Sequence, residues 1–412
     1  MSSIERIVIV GAGLAGARAA EALRKDGFDG AVTLVGDETE RPYLRPPLSK
    51  EYLRGDTPRD KVYVHSEAFY AEQRIDLLTS SPVRAIERAS REVVLADERR
   101  LPFDRLLIAT GARPRTLAVP GADLPGVVSL RTLGDADALR AAAAEAERIV
   151  VIGAGWIGSE VAASLRMLDR HVTIVAPEAV PLERVLGPEI GGVYRDLHLE
   201  HGTGLRLGAS IARIVGTDRV EAVETGAGER IAADLVVVGV GVTPRDELAT
   251  AAGLTVGNGI EVGATLETSD PGIFAAGDVA AAWHPFYGLR LRSEHWANAK
   301  FGGSAVAPLM LGANAPYDRI PYFYSDQYDL GMEYTGYASG TDQLVVRGSL
   351  ADRAFIAFWL VDGRVVAGMN ANVWDVAKPI ERLIRSRAVV DVAALADPAI
   401  PLDDLVAVAD PV

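Results

Sequence analysis

Two glycine-rich turns are the residues of this sequence whose types and spacing are best suited to chemistry. Gly11-Ala12-Gly13-Leu14-Ala15-Gly16 follows an apolar segment, and Gly153-Ala154-Gly155-Trp156-Ile157-Gly158 follows a nearly identical one. Glycines at this spacing permit a tight turn and let backbone amides at a helix N-terminus approach a pyrophosphate. Each turn predicts a dinucleotide site, and two such sites in one chain indicate a flavin that takes a hydride from a nicotinamide.

The residues after the next strand of each repeat indicate which dinucleotide each turn binds. Asp37-Glu38 follows the expected strand Ala31–Val35, where a ribose hydroxyl needs an acceptor, so we assign the resident FAD to the first turn. In the second repeat Ala176-Pro177-Glu178 stands there, with no Lys or Arg to accept a 2′-phosphate. This favours NADH over NADPH. Glu178 either accepts from the ribose or is a solvated loop carboxylate.

Two residues beside the second turn each have two interpretations. Trp156 is either a large apolar side chain that packs against the helix or an aromatic ring that lies beside the nicotinamide. Glu160, on the first helical turn, either compensates the helix dipole or holds the nicotinamide amide.

The pattern along the chain predicts the elements that position these turns. Residues 4–10 cluster β-branched residues as a buried parallel strand does, and a helix follows to Lys25. The second repeat predicts a strand at 149–152, a helix at 159–168 and a strand at 172–175. From about Pro321 strands alternate at 344–348, 355–360 and 364–369. We expect an α/β fold with two Rossmann-like dinucleotide-binding domains plus a C-terminal α+β domain.

Turn-rich and apolar segments suggest where the chain crosses between domains. Residues 110–125 are rich in Gly and Pro, and the apolar run from Leu235 ends at Gly241 and Pro244. We therefore expect a discontinuous FAD-binding domain at 1–112 and 244–320, an NAD-binding domain at 113–243 and the C-terminal domain at 321–412.

Composition narrows the functional classes. The 412 residues include no apolar run near the roughly 20 that cross a bilayer, so we expect a cytoplasmic protein. A net charge of −14 disfavours nucleic acid and membrane partners. The absence of cysteine excludes a redox dithiol and thiolate-bound metal. His198 and His201 have helical spacing but no third ligand, so we expect a solvated face and no metal.

Several further segments together suggest a family. They are Arg45-Pro46-Pro47-Leu48-Ser49-Lys50, Ala109-Thr110-Gly111, Leu130-Arg131-Thr132-Leu133, Ala276-Gly277-Asp278 and Ser325-Asp326-Gln327-Tyr328. With the two glycine turns, they make nearly the whole chain resemble the FAD-containing ferredoxin reductases of oxygenase systems, which have a glutathione-reductase-like fold. Pro-Pro-Leu-Ser-Lys and Ser-Asp-Gln-Tyr are the most specific of these segments.

The resemblance implies a set of site residues. Lys50, Glu160 and Trp296 would take part in catalysis, and Gly241 would join the second glycine turn in binding NADH. The FAD contacts outside the first turn would be Asp37, Arg45, Lys50, Val83, Ala109, Thr110, Gly111, Arg131, Gly277, Asp278, His295 and Trp296.

Three of these residues have plain alternatives. Lys50 would set an ammonium near the flavin ring or be a surface lysine. Asp278 would accept from ribityl hydroxyls or cap a helix. Arg131 would neutralise pyrophosphate or be solvated. The chain departs from the family after Asn298, because Lys300-Phe301-Gly302 stands where a Gln-Gly pair is expected.

The family resemblance implies a reaction and a partner. NADH would reduce FAD, and single electrons would pass to a two-iron ferredoxin that supplies an oxygenase. A rubredoxin reductase, and an apoptosis-inducing-factor-like flavoprotein with mainly a binding role, remain alternatives. An acidic ferredoxin requires a local basic surface, with candidates at Arg290, Arg292, Lys300, Arg382, Arg385 and Arg387. The oligomeric state is left open, and a monomer is compatible with the sequence.

Overall fold

A buried parallel sheet forms the centre of the first of two compact units in the computed structural model, which describes residues 4–407. This unit comprises the chain up to Pro46, Pro58–Arg113 and Val242–Arg319. Its five strands lie in the order Ile273–Ala275, Arg105–Ile108, Arg6–Val10, Ala31–Val35 and Ile75–Leu78, all parallel. Parallel strands are buried on both faces, which explains why they read as continuous apolar runs.

Two helices cover this sheet where the first glycine turn ends. Helix Leu14–Lys25 packs against helix Trp296–Met310. A Cβ on Gly303 would lie 2.3 Å from the carbonyl oxygen of Ala15, so glycine is required for this close approach. The unit also contains the α-helices Glu67–Glu72 and Glu247–Ala251 and the 3₁₀ helices Arg59–Lys61 and Gly277–Val279.

Smaller sheets complete the first unit. Val83–Glu87, Glu92–Leu95 and Arg100–Pro102 form an antiparallel sheet. A mixed sheet has the strand order Val256–Gly257, Gly259–Val262, Ala280–His284 and Leu289–Leu291, with the middle pair parallel. Ala112–Pro114 pairs with Val242–Pro244.

The second unit comprises Pro47–Thr57, Pro114–Gly241 and the chain from Ile320. Its parallel sheet has the order Gly204–Arg206, His171–Val175, Arg148–Ile152, Leu235–Val238 and Val127–Ser129. The same unit contains the helices Glu51–Arg54, Leu133–Glu145, Trp156–Met167 and Glu183–Glu200. The last of these is kinked at Gly187, where the backbone is not helical. Ile211–Gly216, Val220–Thr225 and Arg230–Ala232 form an antiparallel sheet.

The C-terminal part of the second unit contains an antiparallel sheet. Its order is Tyr322–Gln327, Leu330–Gly336, Arg364–Ala371, Ala354–Val361 and Gln343–Ser349. Helices Ala377–Ser386, Val392–Ala396 and Asp404–Ala407 follow. Buried residues of this sheet form one core with the helix Glu183–Glu200, including Met332, Phe355 and Tyr194.

The expected fold class is confirmed, with small differences in the elements. The helix predicted at 159–168 begins at Trp156, because Gly155 is its N-cap. The helix after Arg131 begins at Leu133, where Thr132 and Asp135 form a capping box. The three domain boundaries stay a prediction, since contacts group Pro47–Thr57 and the chain from Ile320 with the second unit. Residues 408–412 of the predicted C-terminal domain lie outside the described residues.

Candidate functional site

The first glycine turn leaves room beside a helix N-terminus. Gly11 has φ +117°, and a Cβ there would lie 2.2 Å from the carbonyl oxygen of Ala109. A Cβ on Gly16 would lie 2.1 Å from the oxygen of Gly11, whereas Gly13 has no atom within 4 Å of its Cβ position. The helix that begins at Leu14 has no side-chain cap and no acidic residue in its first turn. Its free amide ends therefore face an open space that suits a pyrophosphate.

Asp37 and Glu38 are both ion-paired within the first unit. Glu38 accepts hydrogen bonds from the Tyr43 hydroxyl at 2.6 Å and from Arg45 at 3.0 Å. Asp37 accepts from Arg245 at 2.7 Å, and both side chains of that pair are 42% exposed. An exposed pair of this kind contributes little stability, so Asp37 is the carboxylate more easily turned to a ribose hydroxyl.

Three predicted FAD contacts of the first unit influence one another electrostatically. Burial alone would lower the pKa of the Arg45 guanidinium. The attraction of Tyr43, Glu38 and Asp278 is stronger than this effect, so the pKa of Arg45 is raised. Burial lowers the pKa of His295 to about 4, against the opposing effect of Asp278. His295 is therefore neutral at pH 7, within electrostatic reach of the buried Asp278 carboxylate. Such a group donates or accepts hydrogen bonds without adding charge.

The other predicted FAD contacts lie at the ends of elements. In the first unit, Thr110 donates to the backbone oxygen of Arg245 at 2.6 Å, and the Lys300 ammonium lies 4.5 Å from the Trp296 ring centre. Arg131 belongs to the second unit, where its backbone N–H donates to Asp135 at 3.0 Å. Val83, Ala109, Gly111 and Gly277 lie in the first unit, at or beside strand ends.

The second glycine turn repeats the geometry of the first. Gly153 has φ +106°, and a Cβ on Gly158 would lie 2.1 Å from the oxygen of Gly153. Gly155 has no atom within 4 Å of its Cβ position. The helix Trp156–Met167 also lacks a side-chain cap and an acidic first turn. The residues present at both turns therefore fit a dinucleotide.

The flanking predicted residues of the second unit differ in their surroundings. Glu178 pairs with Arg184 at 2.7 Å, and its side chain is 18% exposed. Gly241 has φ +99° and accepts from the backbone N–H of Arg115 at 2.9 Å. The Trp156 ring meets Tyr194 and Phe323 edge-on, at centroid distances of 6.2 and 5.0 Å. Ile157 is exposed.

Lys50 and Glu160 form a buried ion pair. Lys50 is 6% and Glu160 4% exposed, and the ammonium donates to Glu160 Oε2 at 2.6 Å. Ser49 donates to the same oxygen at 2.5 Å, and Ser325 donates to Oε1 at 2.7 Å. The surface-lysine alternative for Lys50 is therefore wrong. The helix Trp156–Met167 has no acidic residue in its first turn, so Glu160 does not lie where the dipole-compensating alternative placed it.

Sequence reasoning missed the partners of this cluster. Ser49 lies 111 residues and Ser325 165 residues from Glu160 along the chain. The spacing of neighbouring residues in the sequence does not predict contacts over such separations. The quoted Pro-Pro-Leu-Ser-Lys and Ser-Asp-Gln-Tyr segments were the available signal, since each supplies a hydroxyl to Glu160.

The expectation of a solvated face at His198 is wrong. His198 is fully buried, its Nε2 lies 3.1 Å from Gln327 Oε1, and its Nδ1 lies 3.3 Å from the Tyr328 hydroxyl. Burial lowers the pKa of His198 to about 4, against the Gln327 hydrogen bond that raises it. His201 instead stacks on Tyr328 at 3.8 Å. Within residues 4–407 no cluster of three His, Asp or Glu side chains is arranged for a metal.

Most candidates for a basic surface are already paired. Arg290 lies 3.3 Å from Glu261, Arg292 2.6 Å from Glu294 and Arg385 2.8 Å from Glu381. Arg382 pairs with Asp403. Opposite charges at such distances weaken the positive field these arginines present.

The two open helix N-termini, each beside a glycine turn and a parallel sheet, define a protein with two dinucleotide-binding sites. The family model described as pyridine nucleotide-disulphide oxidoreductase matches residues 5–303, and one described as reductase C-terminal matches residues 322–406. The chain belongs to the pyridine nucleotide-disulphide oxidoreductase family, whose members bind FAD and use NAD(P)H. Its lack of cysteine sets it apart from members with a redox disulphide.

Relatives of known function agree. The chain is 40% identical to putidaredoxin reductase of Pseudomonas putida, over 99% of this chain and 98% of the relative. It is 42% identical to the ferredoxin–NAD(+) reductase component of the anthranilate 1,2-dioxygenase system of Burkholderia cepacia, over 97% and 99%. A covalent putidaredoxin reductase–putidaredoxin complex matches with a TM-score of 0.95 at 39% identity, covering 98% and 99% of the two chains. The expected resemblance to oxygenase-coupled ferredoxin reductases is confirmed.

Among the described residues, none of the helices combines the length and apolar character needed to cross a bilayer.

Proposed function

We propose that this protein oxidises NADH and reduces a two-iron ferredoxin that supplies an oxygenase. The observation that carries the proposal is the pair of uncapped helix N-termini beside open glycines, one in each unit. Bound FAD would supply the step between a two-electron hydride donor and a one-electron acceptor. The relatives named as reductases of putidaredoxin and of a dioxygenase system support the same assignment.

Residues of the first unit would hold FAD. The amides after Gly13 would bind the pyrophosphate, and Asp37 would accept from the ribose. Arg45 and Asp278 would place opposite charges along the cofactor, beside the neutral His295. Further contacts in this proposal are Gly11, Leu14, Ala15, Gly16, Val83, Ala109, Thr110, Gly111, Gly277 and Trp296. Arg131 of the second unit would add a positive charge.

Residues of the second unit would hold NADH. The amides after Gly155 would bind its pyrophosphate, with Gly153, Trp156, Ile157, Gly158 and Gly241 beside it. Glu178 would accept from the ribose. Glu160 would orient the nicotinamide amide, and Lys50 would hold its ammonium in a fixed position near the flavin ring. Hydride transfer needs no general base, so the work of these side chains is orientation and electrostatics.

The absence of cysteine supports an external acceptor. Without a dithiol in the chain, electrons that reach the flavin must leave it directly for another carrier. A two-iron cluster accepts one electron at a time, which suits this route.

Purified protein tests the proposal. We expect an FAD absorbance spectrum, bleaching by NADH, and NADH-dependent cytochrome c reduction that requires an added two-iron ferredoxin. A panel of ferredoxins and rubredoxins distinguishes the carriers, and dependence on rubredoxin alone would favour the rubredoxin reductase alternative. Colourless protein that FAD cannot reconstitute would overturn the assignment.

Nucleotide preference tests the role of Glu178. We expect a kcat/KM for NADH at least tenfold above that for NADPH, because a carboxylate near the 2′ position repels a phosphate. Glu178→Gln should narrow the difference. A preference for NADPH in the wild-type protein would show that Glu178 does not contact the ribose.

We also propose that the protein acts in the cytoplasm, because the NADH it would consume is held there. Cell fractionation with an antibody to the native protein tests this, and recovery in a periplasmic or membrane fraction would contradict it.

A further inference from the structure

The strand Tyr322–Gln327 presents every second side chain to the nucleotide-binding part of the second unit. Phe323, Ser325 and Gln327 lie on one face, as the two-residue period of a strand requires. Phe323 contacts the Trp156 ring, Ser325 donates to Glu160, and Gln327 bonds to His198. This face thus meets the helix Trp156–Met167 at two positions one helical turn apart.

Ser325 on this face contacts a proposed catalytic group. Its hydroxyl is 2% exposed and donates to Glu160 Oε1 at 2.7 Å. The other carboxylate oxygen is occupied by Lys50 and Ser49 at 2.6 and 2.5 Å. Each oxygen of Glu160 therefore has a donor, and the plane of the carboxylate is fixed by contacts on both sides.

Fixing the plane has a chemical consequence. A carboxylate held by Lys50 and Ser49 alone is free to rotate about its terminal bond, because that torsion is broad and roughly two-fold. Rotation would change the direction of the Lys50 ammonium and of any amide hydrogen bond that Glu160 makes. A hydrogen bond to a charged group is among the stronger ones in proteins, so a single donor suffices to hold it.

We propose that Ser325 is a positioning residue that fixes the carboxylate of Glu160, so that the C-terminal sheet takes part in preparing the nicotinamide site. The inference rests on the proposed function, in which Glu160 and Lys50 act on the nicotinamide and the flavin. It gives the Ser-Asp-Gln-Tyr segment a role in catalysis besides its role in packing the sheet.

Stopped-flow reduction of the FAD-loaded protein by NADH tests this in a double-mutant cycle. We expect Ser325→Ala to lower the limiting reduction rate about tenfold, with the apparent Kd for NADH within twofold, because one charged hydrogen bond is lost. Ser325→Thr keeps the hydroxyl and should restore the rate to within threefold. In a Glu160→Gln background, Ser325→Ala should change the rate less than twofold, since residues that act as a unit are not additive.

Two matched variants separate positioning from packing. Ser349→Ala makes the same substitution at the edge of the same sheet and should leave the rate unchanged. Gln327→Leu removes the other hydrogen bond of the face; it should lower the unfolding midpoint but not the rate. Equal rate losses for Ser325→Ala and Gln327→Leu, or additivity with Glu160→Gln, would overturn the proposal.

A readout without catalysis separates failure of this proposal from failure of the proposed function. Unfolding free energies of the four cycle members measure the coupling of Ser325 to Glu160 directly. Coupling with no NADH reduction of the wild-type protein would overturn the proposed function and, with it, the catalytic consequence of the contact. Absence of coupling in a protein that NADH does reduce would overturn the positioning role alone.

Discussion

Lys50 and Glu160 are opposite charges that lie almost out of reach of water. Burying either charge alone is costly, and removal of one partner from a buried pair typically destabilises by about 3–5 kcal/mol. Two serine hydroxyls also donate to this carboxylate at hydrogen-bond distance, one to each oxygen. Their arrangement therefore holds an ammonium in a fixed position, which is the property an electrostatic catalyst needs.

His198 makes the stability of the protein depend on pH. Its pKa is about 4 in the folded chain and about 6.5 when exposed, because burial disfavours the imidazolium. The unfolded chain then binds more protons between these values, so stability is complete above about pH 6.5 and is lost as the pH falls towards 4. Because the pKa of His295 is also lowered, this residue too decreases the stability of the protein as the pH falls.

We expect His198→Gln to flatten this dependence. The wild-type protein should lose more unfolding free energy than the variant between pH 7 and pH 4.5, by about 2–3 kcal/mol. Urea unfolding at a series of pH values measures both slopes. Parallel curves would show that His198 does not titrate in this range, and His201→Gln, at the exposed neighbour, serves as the control.

The two glycine-turn helices begin without any acidic or hydroxyl cap of their own. The backbone amides of each first turn are thus left for a ligand, and the open middle glycine lets that ligand approach. Gly13 and Gly155 have φ of −87° and −78°, values that any L-residue adopts. A methyl group there fills the ligand space without straining the protein.

Alanine at these glycines should therefore impair binding but not folding. We expect Gly155→Ala to raise the apparent Kd for NADH at least tenfold with the FAD content unchanged, and Gly13→Ala to reduce FAD retention, since close approach of the pyrophosphate is lost. Both free energies of unfolding, measured without nucleotide, should stay within about 1 kcal/mol of the wild-type value. Gly192→Ala, at an open position in another helix, is the matched control. Normal nucleotide binding by both variants would contradict the proposed sites.

The elements themselves were largely predictable because the chain contains the same βαβ pattern twice. Both ends of the strand Ala31–Val35 agree with the prediction. The strands predicted at 149–152 and 172–175 each begin one residue earlier in the structure. The start of helix Trp156–Met167 was missed because a glycine N-cap has no side-chain signal. The partners of Glu160 and the burial of His198 depend on which elements pack together, and local periodicity carries no such information.

At the scale of the whole molecule, the second unit joins two elements that are far apart in sequence. The helix Glu183–Glu200 and the C-terminal sheet share one apolar core, in which Tyr194 and Phe355 are fully buried and Met332 is 1% exposed. Neither element covers its apolar face alone, so we infer that the two fold as one cooperative body.

We expect Met332→Ala to loosen both elements at once. Removal of a buried side chain of this size costs about 2–5 kcal/mol, because a cavity remains. Hydrogen exchange followed by mass spectrometry should show faster exchange in the helix and the sheet together. Val389→Ala, at a side chain that is 64% exposed, should change neither. Faster exchange confined to the sheet would show that the two elements open separately.

The alternation of the strand Tyr322–Gln327 also limits which insertions and deletions the gene can tolerate. One residue added or lost just before Ser325 would turn the other face inward and bring Tyr324 or Asp326 towards Glu160. The serine hydroxyl would then be exchanged for the bulky tyrosine side chain or for a second carboxylate. Length changes in the preceding loop that shift this strand by one residue would therefore be selected against even where the loop itself has no function, and chimeras that exchange C-terminal domains must preserve that register.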